Sequence, residues 1–171
     1  MSDPPSRQTK AAQSRRRWTW SGLGEGAQAE KDGFGLFIDD VVFVFAEISV
    51  LSLPVLYAVM VTEPQSYFGA KTSALVAWMT MVAVGALIRG GWVTPLGSDV
   101  PGWVSLTPSL ILLRFAYYNL LLGGVAYGGA ALALEQSPLG SIVFAVVGSS
   151  VAIGAFPAVA DAYFRAVRRY G

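Results

Sequence analysis

The sequence of 171 residues contains no cysteine and no histidine. Without cysteine there are no disulfides and no thiol nucleophiles. Without histidine there are no imidazole proton relays and no haem with an axial histidine, and the two absences together exclude every Cys/His zinc site. We therefore expect no metal and no cofactor, and few kinds of enzyme chemistry remain.

Charged residues are also scarce. They make up 13% of the chain, against about 25% in ordinary soluble domains. Hydrophobic residues make up 54%, and the mean hydropathy is +0.52. The formal net charge of +1 provides none of the concentrated basic surface that a nucleic-acid partner needs. This composition is typical of an integral membrane protein whose partner is the lipid bilayer.

Four segments are each close to the roughly 20 apolar residues that a helix needs to cross about 30 Å of hydrocarbon. They lie at about 38–62, 72–92, 107–134 and 139–160. The sequence therefore predicts an all-α integral membrane four-helix bundle with short loops, formed by residues 36–171. Pro54 removes a backbone hydrogen bond within the first segment, so we expect a kink there.

The positions of the basic residues predict the orientation of these spans. Most basic residues precede the first span, follow the last one or begin the loop after the second, and only Lys71 falls in the two remaining loops. By the positive-inside rule both termini then face the cytoplasm. The preference for Arg over Lys and the abundance of Ala, Gly and Val indicate a GC-rich prokaryotic genome, which would make the membrane the cell membrane.

Residues 1–35 form a polar basic tail that we expect to be cytoplasmic and disordered or only locally structured. Its RRRWTW segment would anchor the chain at the lipid interface, because arginines contribute about 1 kcal/mol each near anionic headgroups and tryptophans favour the interface. The anchor residues are Arg15, Arg16, Arg17, Trp18 and Trp20. A tail that only sets topology is the alternative. A twin-arginine export signal is rejected, because about twenty polar or small residues separate the arginines from the first apolar segment.

The longest connection between predicted helices is 89–108, RGGWVTPLGSDVPGWVSLTP, in which Gly-Trp-Val-Thr is echoed by Gly-Trp-Val-Ser. A re-entrant or gating loop could have this composition. A connection rich in Gly, Pro and Trp more often lies in the membrane interface, and we favour that interpretation. Thr107 followed by Pro108 indicates a helix start, because proline at the first helical position leaves no amide hydrogen unpaired.

Small residues in the last two spans are spaced for close helix contact. Gly124 and Gly128 form a GxxxG pattern, and Ser150 and Gly154 repeat that spacing in the fourth span. Such residues let helix backbones approach in lipid, where no hydrophobic effect drives helices together. We expect the third and fourth predicted helices to form a tight hairpin, although the same faces would also serve a homo-oligomer.

Glu47 places a carboxylate in the interior of the first apolar segment, well past Asp39 and Asp40 at its start. At 1.5 Å per residue it lies about 13 Å from the cytoplasmic end of its helix, and Arg114 lies about 10 Å from the end of the third. An ion pair between them would neutralise two charges that neither helix can carry alone in lipid. Tyr117, Tyr118 and Asn119 would line the same polar interior. Alternatively, Arg114 snorkels to the interface, or Glu47 is an unpaired carboxylate that binds protons.

The triplet Ala46-Glu47-Ile48 is similar to the first helix of small multidrug resistance transporters. The likeness extends over three residues, and no further motif of this chain matches. By analogy it implies a membrane-embedded glutamate that binds protons and cationic drugs.

Two functions are compatible with these patterns. The first is a non-catalytic structural or accessory component that packs with itself or with a larger membrane complex. The second is a small proton- or cation-coupled transporter or channel that uses Glu47. No enzyme is expected, because the sequence has no metal-ligand spacing, no phosphate loop and no nucleophile with a base. Other candidate acids are expected near the cytoplasmic surface, with Asp161 in an exposed stripe of ion pairs; examples are Asp39, Asp40, Asp99 and Asp161.

Overall fold

The computed structural model describes residues 18–21, 28–62, 69–135 and 137–170, without the side chains of Trp20, Ser21, Gln28, Arg168 and Tyr170. Arg15, Arg16 and Arg17 lie outside the described residues. Of the expected interface anchor only the Trp18 side chain can be placed, and it is 50% exposed. Two short antiparallel strands follow it, β1 (Thr19–Ser21) and β2 (Gln28–Glu30).

Helices make up the rest of the described fold, which is all-α as the apolar segments predict. The helices are α1 (Gly33–Leu51), α2 (Leu53–Val61), α3 (Ala70–Gly90), α4 (Pro108–Glu135) and α5 (Pro138–Tyr170). The carboxylate of Asp32 caps α1 by accepting a hydrogen bond from the Gly35 amide at 2.7 Å. The predicted helix start at Pro108 is confirmed.

The first predicted span is broken where the sequence places a kink. α1 and α2 meet at Ser52 with a bend of 66°, two residues before Pro54. Pro54 lies in the first turn of α2, where the missing amide hydrogen disrupts no hydrogen bond of that helix. The proline is therefore compatible with a new helix start and incompatible with an uninterrupted span.

Three helices, α3, α4 and α5, are long and apolar enough to cross a membrane, and the bent pair α1–α2 would be a fourth span. Contacts are most extensive between α4 and α5, which form the expected hairpin, and α3 packs against both. α5 has 33 residues, or about 50 Å of helix, which is well beyond the hydrocarbon thickness of about 30 Å. Its last ten residues therefore extend past the predicted span.

The three long helices approach one another closely at Gly129. A methyl group there would lie 2.5 Å from the Ser73 hydroxyl of α3 and 3.1 Å from the Ser141 hydroxyl of α5. These two hydroxyls form a buried hydrogen bond of 2.8 Å. Glycine is required here because any side chain would separate the helices.

The predicted packing glycines have different environments. Gly128 contacts the Phe144 ring of α5, whereas Gly124 is exposed, and a methyl group at Gly124 would meet nothing within 4 Å. In α5, Gly154 packs against Leu96 of the 91–107 loop, and Ser150 is half-buried. Within this chain Gly128 thus lies at the contact between α4 and α5, whereas Gly124 has no neighbour there.

Candidate functional site

The carboxylate of Glu47 is held inside the bundle by three hydrogen-bond donors. Its Oε1 accepts from the Tyr118 hydroxyl at 2.8 Å. Its Oε2 accepts from the Trp103 indole at 3.2 Å and from Arg114 Nη1 at 3.3 Å. The Glu47 side chain is 5% exposed and that of Arg114 is fully buried. We refer to Glu47, Trp103, Arg114 and Tyr118 as the Glu47 cluster.

Three different parts of the chain supply the Glu47 cluster. Glu47 comes from the C-terminal part of α1, and Arg114 and Tyr118 come from α4, where residues four apart share a face. Trp103 comes from the loop between α3 and α4. The ion pair that the sequence predicts between Glu47 and Arg114 is present, and Tyr118 belongs to the same polar interior.

The 91–107 loop enters the bundle instead of lying along its surface. Trp103 and Val104 are 5% and 3% exposed, and the Val104 carbonyl accepts a hydrogen bond from Arg114 Nη2 at 2.6 Å. The loop is fixed a second time where the Leu96 amide donates to the Gly154 carbonyl at 2.9 Å. Gly97 and Gly102, at φ of +72° and +96°, provide the left-handed turns of this path. The interface location favoured from composition is therefore wrong for Trp103.

The two tryptophans of the sequence echo differ accordingly. Trp92 is 55% exposed, whereas Trp103 packs on Phe156 with the ring centroids 5.8 Å apart. The guanidinium of Arg114 lies 5.6 Å from the Trp103 ring centroid and 5.8 Å from that of Phe156. Aromatic faces thus cover a cation that has no access to water, and cation–π attraction is strongest where the cation is desolvated. The indole of Trp103 binds the carboxylate while its ring faces the arginine.

Asn119 stabilises the helix break and lies outside the Glu47 cluster. Its amide nitrogen donates to the Leu51 carbonyl at 2.8 Å, and its side-chain oxygen accepts from the Val55 amide at 3.1 Å. Both backbone groups lie next to the break, where helical hydrogen bonds are lost. Unsatisfied backbone groups cost several kcal/mol in lipid, so one side chain of α4 compensates for the interruption of the span.

Tyr117 also serves a contact that the sequence does not predict. Its hydroxyl donates to the Ala152 carbonyl of α5 at 2.8 Å. Tyr117 therefore connects α4 to α5, whereas the neighbouring Tyr118 faces α1.

A second buried carboxylate lies two turns before Glu47 and escaped the sequence analysis. Asp40 is 1% exposed and accepts from Arg89 Nε at 2.9 Å. The Arg89 guanidinium carbon lies 3.5 Å from the Phe43 ring centroid. The signal was present in the sequence, because Asp40 and Glu47 are seven residues apart and so occupy one helix face. Asp161 is also buried, at 8% exposed, and not on a surface stripe.

Some buried polar atoms of the described residues have no hydrogen-bond partner. They are Arg114 Nε and the hydroxyls of Ser52, Thr107 and Ser149. No group of three or more acidic side chains in the described ranges is arranged to hold a metal ion.

A cleft of about 500 Å³ lies along the outer face of α1 and reaches the edge of the Glu47 cluster. Its lining residues are Asp39, Val42, Phe43, Ala46, Glu47, Val50, Leu51, Leu106 and Ile111. We call this feature the α1 cleft. Only 5% of the Glu47 side chain is exposed, so the carboxylate contributes a small part of the cleft wall.

The described fold is thus all-α, with three or four segments long and apolar enough to cross a membrane and a buried ion pair between two of them. The chain belongs to the family described as Domain of unknown function (DUF8215), whose model matches residues 31–163. The matched range contains the entire Glu47 cluster and the Asp40–Arg89 pair. No curated protein and no solved structure matches the chain.

Proposed function

We propose that the protein is a non-catalytic structural component of the cell membrane, with both termini in the cytoplasm. The observation that carries the proposal is that the buried carboxylate of Glu47 receives hydrogen bonds from three donors, Trp103, Arg114 and Tyr118. A carboxylate that binds and releases a transported ion needs an exposed, exchangeable coordination sphere. Glu47 has instead three donors from its own chain.

The Glu47 cluster connects elements that otherwise share few contacts. α1 packs mainly on α3, and its contacts with α4 are sparse. The cluster joins α1, α4 and the 91–107 loop at one point in the bundle. This arrangement supports a structural role, in which the protein presents a fixed apolar exterior to lipid or to a larger membrane complex.

A double-mutant cycle tests the structural role of the ion pair. The variants are Glu47→Gln, Arg114→Gln and the double variant, with Asp99→Asn, at an exposed position of the 91–107 loop, as the control. Removing one partner of a buried pair costs about 3–5 kcal/mol, because an uncompensated charge remains. We expect the double variant to lose clearly less than the sum of the single losses, measured by denaturant unfolding in micelles.

Charge exchange between the two positions is a less suitable test. In the exchanged protein an arginine at position 47 would face the N–H and O–H donors of Trp103 and Tyr118. A glutamate at position 114 would face the Val104 carbonyl oxygen. Additive losses in the neutral cycle would contradict the structural proposal directly, because independent residues show no coupling energy.

The α1 cleft favours a second candidate, a proton- or cation-coupled transporter that uses Glu47. Proton flux is measured with a pH-sensitive dye enclosed in proteoliposomes. The structural proposal predicts a flux no larger than the proton leak of liposomes without protein. A flux that Glu47→Gln abolishes and Asp99→Asn preserves would establish the transporter instead. Both variants are to be compared at equal amounts of inserted protein.

A further inference from the structure

We propose that the α1 cleft binds one phospholipid whose head group carries a primary ammonium, with the ammonium on Asp39 and one acyl chain along the cleft. This inference does not depend on whether the Glu47 cluster is structural or transports an ion. It depends on the outer face of α1, where the cleft lies.

The first observation is the shape of the α1 cleft. The residues of α1 that line it range from Asp39 to Leu51 and recur every three or four positions, so they form one face of the helix. Twelve residues of helix extend about 18 Å. One leaflet of a bilayer is about 15 Å thick, half of the hydrocarbon core. The cleft therefore has the length of one acyl chain in the leaflet where α1 begins.

The second observation is the chemistry of the wall. The central lining is apolar and open, with Val42 and Val50 61% and 62% exposed and Ile111 of α4 38% exposed. Glu47 turns its carboxylate away from this wall toward its three donors. The middle of the cleft thus presents methyl groups, which suit a hydrocarbon chain.

The third observation is the charge at one end of the cleft. Asp39 lies at the start of the predicted span, its side chain is 36% exposed, and Oδ1 contacts Lys31 Nζ at 3.0 Å. A carboxylate offers about four acceptor positions, of which this contact uses one. The lining residues include two carboxylates and no basic side chain. An ammonium with three N–H donors can donate to the remaining acceptor positions of Asp39, whereas the quaternary ammonium of phosphatidylcholine has no N–H donor and phosphatidylglycerol has no ammonium.

Native mass spectrometry of the full-length protein tests the proposal with three lipids of identical acyl chains. They are phosphatidylethanolamine, phosphatidylcholine and phosphatidylglycerol, and the two intermediate N-methylated lipids extend the comparison between the first two. We expect phosphatidylethanolamine to bind roughly fivefold more tightly than phosphatidylcholine, as about 1 kcal/mol for a partly exposed ion pair implies. Affinity should fall stepwise with each added methyl group. This arm uses the wild-type protein and needs no variant to fold.

Two variants and one control assign the binding to the α1 cleft. Asp39→Asn should remove the preference for phosphatidylethanolamine, and Asp99→Asn should retain it. Ile111→Trp, which fills the cleft, should weaken all three lipids. Equal binding of the three lipids to the wild-type protein would overturn the head-group assignment. Unchanged binding to Ile111→Trp, or a dimer that this variant dissociates without effect on lipid, would overturn the site.

Discussion

Two buried carboxylates on α1 are each paired with an arginine from another helix, but their surroundings differ. Asp40 pairs with Arg89 at 2.9 Å and Glu47 with Arg114 at 3.3 Å. They are seven residues apart, or about 10 Å along the helix. Arg89 lies in the last turn of α3 with 19% of its side chain exposed, whereas Arg114 is fully buried within α4.

The burial of the arginine, and not the length of the ion pair, determines how many protein groups surround each carboxylate. At the end of α3 the guanidinium is close to the solvated region and interacts favourably with the negative end of the helix dipole. Within the bundle neither compensation is available. There the chain adds an indole, a phenol and a backbone carbonyl, and it directs the 91–107 loop inward to place two of these three groups.

The largest expected effect is on the free energy of unfolding, and it differs between variants of the two arginines. Arg114→Leu should lower the free energy of unfolding by about 3–5 kcal/mol, because Glu47 then remains buried without its counter-charge. Arg89→Leu should cost about 1–2 kcal/mol, because that pair is partly exposed and water can replace part of the interaction. Denaturant unfolding in one detergent measures both losses. Equal losses would show that depth does not distinguish the pairs.

The loop donor provides the next test. Trp103→Phe removes the N–H that Glu47 accepts and part of the ring that faces Arg114, and should cost about 2–3 kcal/mol. Trp78→Phe is the matched control, because the Trp78 indole donates at 3.2 Å to the neutral Ser49 hydroxyl. Its loss should be about 1 kcal/mol. If the two losses agree, the charge of the acceptor adds nothing.

A third test concerns the Asp40 pair and uses a glycine. A methyl group at Gly90 would overlap the Trp92 indole and lie 3.0 Å from the Asp40 carboxylate. Gly90→Ala should cost about 1–2 kcal/mol through overpacking and should shift the Trp92 fluorescence. Gly124→Ala, which enters open space, should be neutral or slightly stabilising because alanine favours helix. A neutral Gly90→Ala would mean that Trp92 moves away freely.

The same comparison shows how far the sequence determines this fold. The apolar segments, the break near Pro54 and the Glu47–Arg114 contact follow from periodicity, backbone chemistry and helix depth. The Asp40–Arg89 pair was accessible to the same argument. Asp40 lies in the first half of α1 and Arg89 in the last turn of α3, so both are expected near the same side of the membrane. It was missed because acids near a predicted span boundary were assumed to be solvated.

Other features had no local signal. The two copies of the Gly-Trp-Val pattern in 89–108 have almost the same sequence, yet only Trp103 is buried. Which copy enters the bundle depends on the position of Arg114 relative to the loop end, and Val104 acts through its carbonyl, which every residue has. The contact of Asn119 with the helix break likewise depends on the register of α4 against α1. Such choices belong to tertiary packing.

The smallest expected effect addresses the remaining donor of the Glu47 cluster. Tyr118→Phe removes a single hydroxyl, and hydrogen bonds within membrane bundles contribute about 0.6 kcal/mol on average and 1.7 at most. We expect a loss near the upper value, because the acceptor is charged and buried. Tyr57→Phe, at a ring that is 71% exposed, is the control and should leave unfolding unchanged. A Tyr118→Phe protein as stable as its Tyr57→Phe counterpart would show that Arg114 and Trp103 alone satisfy the carboxylate. The Tyr118 hydroxyl would then serve to position α4. The groups supplied by the 91–107 loop would alone distinguish the surroundings of Glu47 from those of Asp40.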